Sequence, residues 1–338
     1  MIFSSRPSRL PLRLLSAAFL LAAIALTGPF SPAGAQQQEP QPLQVTTEIV
    51  KLDAAVIDER GEFVSSLQMQ NFKVLDTGTA QPIVFFAPTD APAQILVMIE
   101  TSPAVYLIQS DHLAALNALS AGLAAQDEIA LVAYSQAPKM ILPFTADRAA
   151  LSDSLQQVQY TIGFGELNLF DSISAVLDSM SSIPGKKAIV LLTTGLDSSP
   201  ASRWDALVQK LQASDVVIFP VALGASLRTP AKKNKSKGVT KSSEPHVFAA
   251  ADQTLRSLAE ITGGRAFFPE SESDFVPAYA QIAATLRHQY LLGITPAHDG
   301  KFHPLAVELL DDSGSPVPNS QKTSRKIFVR QGYLAPAP

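Results

Sequence analysis

Three polar stretches break off from apolar runs in a way that could gather oxygen ligands. Residues 95–99 read Ile-Leu-Val-Met-Ile and end in Glu100-Thr101-Ser102; the run AIVLL leads into Thr194-Gly195-Leu196-Asp197; and GFGELNLFDS brings Glu166 and Asn168 to the start of a helix near Leu169. Carboxylate, amide and hydroxyl oxygens from separate loops suit a hard cation such as Mg²⁺ or Mn²⁺, which takes near-octahedral oxygen ligands at about 2.0–2.1 Å. The same residues also suit a site without metal, in which Glu100 is a strand-end carboxylate that accepts hydrogen bonds from neighbouring backbone N–H groups.

Such loops meet only if a sheet positions them. From residue 93 to 289 apolar strands alternate with amphipathic helices. The strands are 95–99, EIALVAYS, KKAIVLLT and VVIFPVAL; the helices are expected over 111–124, 169–180, 204–213, 252–262 and 275–287, with a short strand RAFF between the last two. Continuous apolar strands in this alternation predict a doubly wound, mostly parallel α/β sheet of Rossmann-like type. Its ligand crevice lies at the carboxyl ends of the strands, where strand order reverses.

Residues 43–90 and 290–334 have a different pattern. Val50, Leu52, Ala54 and Val56 alternate with polar or small neighbours, then NFKVLDTG and QPIVFF supply further short strands. After residue 289 come YLLGITP, LAVELLDDSG and RKIFVRQGY. Short alternating strands between turns predict a β-sandwich-like domain. The economical arrangement has 43–90 packing with 290–334, and the α/β domain inserted between them.

The first 35 residues read as a signal peptide: Arg6, Arg9 and Arg13, then an apolar run over 14–26, then Ala33-Gly34-Ala35 as a cleavage site. The apolar run is short of the roughly 20 residues that a bilayer requires, so no transmembrane anchor is expected after cleavage. The product is expected to be extracytoplasmic, whether periplasmic or secreted. The chain has 338 residues, no cysteine and a net charge of −4, which excludes disulfides and thiolate metal sites and argues against nucleic acid as a partner. The one basic cluster, Lys232, Lys233, Lys235, Lys237 and Lys241, lies among Asn, Ser, Gly and Thr and reads as a solvated loop.

Several motifs appear in order: GEFVSSLQMQNFKVLDTGTAQPI, PGKKAIVLLTTGLDSS, ITGGRAFFPES, LRHQYLLGITP and the closing VRQGY. Together they resemble the von Willebrand factor type A (VWA) family, and within it the secreted acidobacterial VWFA-related subgroup. The resemblance implies an interaction module whose contact element is a metal-ion-dependent adhesion site, read as Asp-x-Ser-x-Ser, a Thr in a later loop, and an Asp after a central strand. In families with the full site, an acidic residue of the partner completes the metal's coordination. Here Glu100 stands for the first Asp, Ser102 is retained, Ala104 replaces the second Ser, Leu167 occupies the Thr position, and Thr194 stands for the last Asp. Two hydroxyls and one carboxylate are thereby lost. The eroded set favours no cofactor; Mg²⁺ or Mn²⁺ remains the alternative, held by Glu100, Ser102 and Thr194 with Glu166 and Asn168 as replacement oxygens.

No Gly-x-Ser-x-Gly elbow, His-Glu-x-x-His helix or phosphate-cradling Gly-x-x-x-x-Gly-Lys loop occurs, so no enzyme is expected. His112 and His288 fall on predicted helices, and His298 and His303 flank a predicted hairpin turn, DGKF. Gly263-Gly264 reads as a helix C-cap, Asp171 as a first-turn carboxylate that caps its helix, and Trp204 and Leu207 as a core stripe. The expectation is a non-catalytic, adhesion-like protein interaction module with a degenerate metal site, contacting an unidentified protein through Glu100, Ser102, Glu166, Asn168, Thr194 and Asp197. The alternatives are a divergent enzyme using the same sheet edge and a structural envelope component.

Overall fold

The computed structural model describes residues 48–103, 105, 116, 118–158, 166–200, 202–228, 244–317 and 325–338. The expected signal peptide, His112, Ala104, residues 111–115 and 117 of the expected helix 111–124, and the Lys-rich stretch lie outside them. Among the described residues no helix is long and apolar enough to cross a membrane.

A five-stranded, mostly parallel sheet carries the α/β part. Its strands are β5 (Ala93–Glu100), β6 (Glu128–Tyr134), β7 (Pro138–Thr145), β8 (Lys186–Thr193) and β9 (Val217–Ala222), in the order β7-β6-β5-β8-β9. Both faces are buried, because side chains alternate along each strand. Ile95, Val97 and Ile99 point to one core with Leu151, Tyr279, Ile282 and Leu286 from helices Arg148–Leu155 and Phe275–Arg287. Leu96 and Met98 point to the other, with Ile173, Leu177, Leu207, Leu211, Leu255 and Leu258 from helices Leu169–Met180, Ser202–Ala213 and Glu244–Thr262. The run ILVMI is apolar at every position for this reason.

Two differences from the sequence expectation sit at the borders of this sheet. Strand β7, which runs antiparallel beside β6, is not expected from the sequence, because Pro138 and Pro143 interrupt its pattern. An edge strand tolerates proline, and the pairing shifts register between Ile129 and Val132 to accommodate it. The expected strand RAFF reduces to a single parallel bridge between Phe267 and Val221. Phe267 donates to Pro220 O and accepts from the Ala222 N–H. The next rung of a parallel ladder would need an N–H at Pro220, which has none.

The remaining strands are antiparallel. One sheet has the order β13-β1-β10-β4, with β1 (Val50–Asp58), β4 (Phe85–Thr89), β10 (Gln289–Ile294) and β13 (Arg325–Phe328). A second comprises β12 (Pro316–Val317), β11 (Phe302–Leu310), β2 (Phe72–Asp76) and β3 (Thr79–Gln81), with β14 (Gly332–Leu334) paired to β11. Both sheets mix strands from before and after the parallel sheet. Leu52, Ala54 and Val56 share one core with Phe72, Val74, Tyr290, Leu292, Leu305 and Val307. The strand expected at QPIVFF falls instead at Phe85–Thr89, an edge position where Pro88 costs no ladder bond.

Gly263 has a φ of +82° and Gly264 N–H donates to Ala259 O at 2.8 Å, so the pair ends helix Glu244–Thr262. It also permits a close crossing. A Cβ on Gly264 would stand 1.9 Å from Ile218 O, and one on Gly263 would stand 2.5 Å from Arg330 N.

Candidate functional site

In the parallel sheet the chain passes from β5 to β6 on one side, while β8 and β9 lie on the other, so strand order reverses at β5. Glu100, Tyr134 and Thr193 are the last residues of β5, β6 and β8. Parallel pairing therefore brings all three to the carboxyl edge, at the crevice expected for such sheets.

Glu100 is fully buried. Its carboxylate accepts hydrogen bonds from Ser102 Oγ at 2.5 Å, Thr193 Oγ1 at 3.0 Å, the Thr194 N–H at 2.6 Å and Thr194 Oγ1 at 2.9 Å, and a longer one from the Tyr134 hydroxyl at 3.4 Å. Thr193 Oγ1 in turn accepts from the Tyr134 hydroxyl at 2.7 Å and the Gly195 N–H at 2.9 Å. Burial, with the Glu100 charge added, pushes the Tyr134 phenol well above its ordinary range, so it stays a neutral donor. Behind the loop, Arg228 donates to the carbonyl oxygens of Thr194 and Leu223 and pairs with Asp252 at 2.6 Å.

The loops are tied to one another as well. Thr101 N–H donates to Tyr134 O at 2.9 Å and Asn168 N–H to Ser135 O at 2.8 Å. Asn168 Nδ2 reaches Gln136 O at 3.0 Å. Ser198 N–H donates to Leu167 O at 2.7 Å, and Ser198 Oγ accepts from Leu167 N–H at 3.1 Å. Asp197 accepts from Phe170 N–H at 2.9 Å and Ser199 N–H at 2.6 Å.

Of the six residues singled out in the sequence, Glu100, Ser102 and Thr194 are thus in direct contact. Asn168 and Asp197 fasten the surrounding loops, and Glu166 is exposed at their rim. Leu167 is buried in the apolar cluster beneath Leu169 and Ile173. Sequence reasoning missed Tyr134, Thr193 and Arg228. The first two were findable, since each ends a strand parallel to β5 or its neighbour; Arg228 follows a separate turn and carried no such signal.

Three other expectations are corrected. Helix Phe275–Arg287 ends before His288, which has extended backbone and stacks on Phe63 at 5.4 Å. Asp171 lies in the first turn of its helix but pairs with Arg203 at 3.5 Å, while the helix N-terminal donor at Phe170 goes to Asp197. The expected hairpin turn at DGKF is not one, because the strands it joins, β10 and β11, lie in different sheets; the His303 ring nitrogens there meet Asp76 at 2.7 Å and Asp299 at 3.1 Å.

The donor set does not fit an octahedral cation. Glu100 is the one carboxylate at the centre, and its roughly four acceptor positions are matched by the four donors within 3.0 Å, with the Tyr134 hydroxyl a fifth, longer contact at 3.4 Å. Ser102, Thr193 and Thr194 spend their hydroxyl protons on that carboxylate. Among the described residues no group of three or more His, Asp or Glu side chains could hold a metal ion.

Fold and site define an open, mostly parallel α/β domain whose carboxyl edge closes over a buried glutamate. Residues 112–263 match the von Willebrand factor type A domain. The chain is similar to a solved von Willebrand factor type A structure from Catenulispora acidiphila, at 9% identity and a TM-score of 0.46 over 84% of this chain and 75% of that one. It is also similar to the vWF domain of the type V pili tip protein Mfa5 from Porphyromonas gingivalis, at 13% identity and a TM-score of 0.42 over 59% of this chain and 96% of that one. A third similar structure is proximal thread matrix protein 1 from the mussel byssus, with a zinc-occupied MIDAS motif, at 13% identity and a TM-score of 0.42 over 62% of this chain and 50% of that one. Among curated proteins, none matches the chain.

Proposed function

We propose that this protein is a non-catalytic, extracytoplasmic interaction module that contacts another protein through the carboxyl edge of its parallel sheet without a bound metal. The observation that carries this reading is the state of Glu100, a buried carboxylate whose acceptor capacity is met by protein donors. A cation entering there would have to displace Ser102, Thr193 and Thr194 together. What the edge offers a partner is its rim, where Ser102, Glu166, Asn168 and Asp197 are exposed or partly exposed. Signal-like residues 1–35 support export. Residues 43–90 and 290–334 are read as one discontinuous β-sandwich-like domain on which the VWA domain is carried; their cross-paired strands and common core support that.

Titration of Mg²⁺ or Mn²⁺ into the protein by calorimetry tests the metal-free reading. No heat of binding is expected at micromolar metal. Micromolar uptake that disappears in Glu100→Gln would overturn it.

A further inference from the structure

At the opposite, amino edge of the parallel sheet lies a cavity of about 740 Å³, within the roughly 300–1,000 Å³ range of ligand sites. One wall is the start of β8 and β9, with Lys186, Asp215 and Val217; the facing wall is the start of β1, with Lys51 and Asp53, and Arg330 also lines the space.

The β1 wall has an open edge, and backbone geometry shows which groups it presents. Along a strand, the N–H and C=O of one residue point to the same side and those of the next residue to the other. Gly293 O accepts from Val84 N–H, so odd-numbered residues of β10 face β4 and even-numbered ones face β1. Leu292 and Ile294 pair with Leu52 and Val50, which places the even residues of β1 towards β10. At the far end of β1, Val56 O accepts from Val64 N–H and Asp58 N–H donates to Glu62 O, so the same parity holds. The odd residues therefore face the other side. There β13 covers only Ala55 to Asp58. Lys51 and Asp53 present two N–H and two C=O groups to that side, and none has a backbone partner among the described residues.

We infer that this cavity takes an extended segment of another polypeptide, which adds as a strand beside Lys51 and Asp53 in line with β13. Alternating N–H and C=O groups on a strand edge are complemented in register by another main chain. Charge alone selects nothing here, because Lys51, Lys186 and Arg330 are offset by Glu48, Asp53 and Asp215 around the same space. Three of the lining side chains already have other commitments. Arg330 donates to Gln212 O and Gly332 O, Lys186 donates to Leu286 O, and Asp215 pairs with Lys187 at 2.9 Å. Among the described residues the β1 main chain at Lys51 and Asp53 remains unmet, with the side chains of the same two residues beside it. The inference is independent of the function proposed for the carboxyl edge, which lies at the other end of the sheet.

The probe is a displayed library of random heptapeptides, selected against the protein and followed by hydrogen exchange with the enriched sequences. Bound peptide is expected to slow exchange of the Lys51 and Asp53 amides at least tenfold and to leave Gly195 and Leu196 unchanged. Lys51→Pro removes one edge donor without touching the β10 ladder, so it should weaken binding at least tenfold while Leu52 and Leu292 stay protected. Lys51→Glu, which keeps the N–H, should bind within about threefold of the parent. The inference is overturned if no peptide is enriched, if protection appears only at the carboxyl edge, if protection spreads to a self-paired dimer without peptide, or if a folded Lys51→Pro binds like the parent. If Lys51→Pro loses its ladder protection, the exchange pattern of the parent protein decides alone.

Discussion

The two ends of the parallel sheet treat buried charge in opposite ways. At the carboxyl edge, Glu100 is surrounded by neutral donors: three hydroxyls and a backbone N–H converge on one carboxylate. At the amino edge, Asp53 is raised by burial and opposed by Lys186, while Lys186 is itself lowered to about 8 by burial. Among the described residues Asp53 makes no hydrogen bond, and its charge is balanced only across a cavity. Short neutral donors close a site, because each oxygen is fully used at contact distance. Charges balanced at longer range leave space between them. The parallel sheet has its carboxyl edge closed on Glu100 and its amino edge open on a cavity.

The strongest way to break this comparison is to remove the sealed carboxylate. Glu100→Ala would leave the Thr193 and Thr194 hydroxyls, the Thr194 N–H and Ser102 without their common acceptor. Unmet buried donors cost about 1–3 kcal/mol each, and relaxation of Ser102 towards solvent recovers part of that. A loss of about 3–5 kcal/mol is expected in urea unfolding, with the slope m unchanged. A loss below about 1 kcal/mol would mean that the network is solvated and the edge is not sealed.

The open edge is tested by pH. Lys186 has a folded pKa of about 8 against 10.5 for the ordinary side chain. Between those values the unfolded chain binds more protons than the folded one, so stability must rise with pH. Full burial of the charge would give roughly 3 kcal/mol across the window, and partial access to water reduces this to about 2 kcal/mol. The rise should be absent in Lys186→Met, measured by unfolding at pH 7.5 and pH 10. A flat profile in the parent protein would show that water already solvates the ammonium.

The contrast between the ends also explains what the sequence could reveal. Short runs that are apolar at every position, such as 95–99, in alternation with amphipathic helices read as strands buried on both faces, so the parallel sheet and its carboxyl-edge loops were legible. The gathering of Glu100, Ser102 and Thr194 follows from that topology. Strand β7 was not legible, because Pro138 and Pro143 imitate a loop and only an edge position with a register shift accepts them. The strand expected at RAFF failed for a reason outside its own residues, the missing N–H of Pro220. The amino-edge cavity was invisible for a similar reason: it exists because β13 covers only part of β1, and pairing length between strands over 260 residues apart leaves no local signature.

The finest test asks whether the seal extends beyond the carboxylate. Tyr134→Phe removes the hydroxyl 2.7 Å from Thr193 Oγ1 and keeps the ring that packs with Leu96 and Met98. Thr193 Oγ1 would still accept from Gly195 N–H and donate to Glu100, so no buried group is stranded. The cost should be that of one hydrogen bond, about 1 kcal/mol, with hydrogen exchange faster at Gly195 and unchanged at the Lys51 edge. If Tyr134→Phe instead cost as much as Glu100→Ala, the phenol would be a principal donor to the carboxylate. The four-donor account of Glu100, and with it the argument against a cation, would then have to be redrawn around Tyr134.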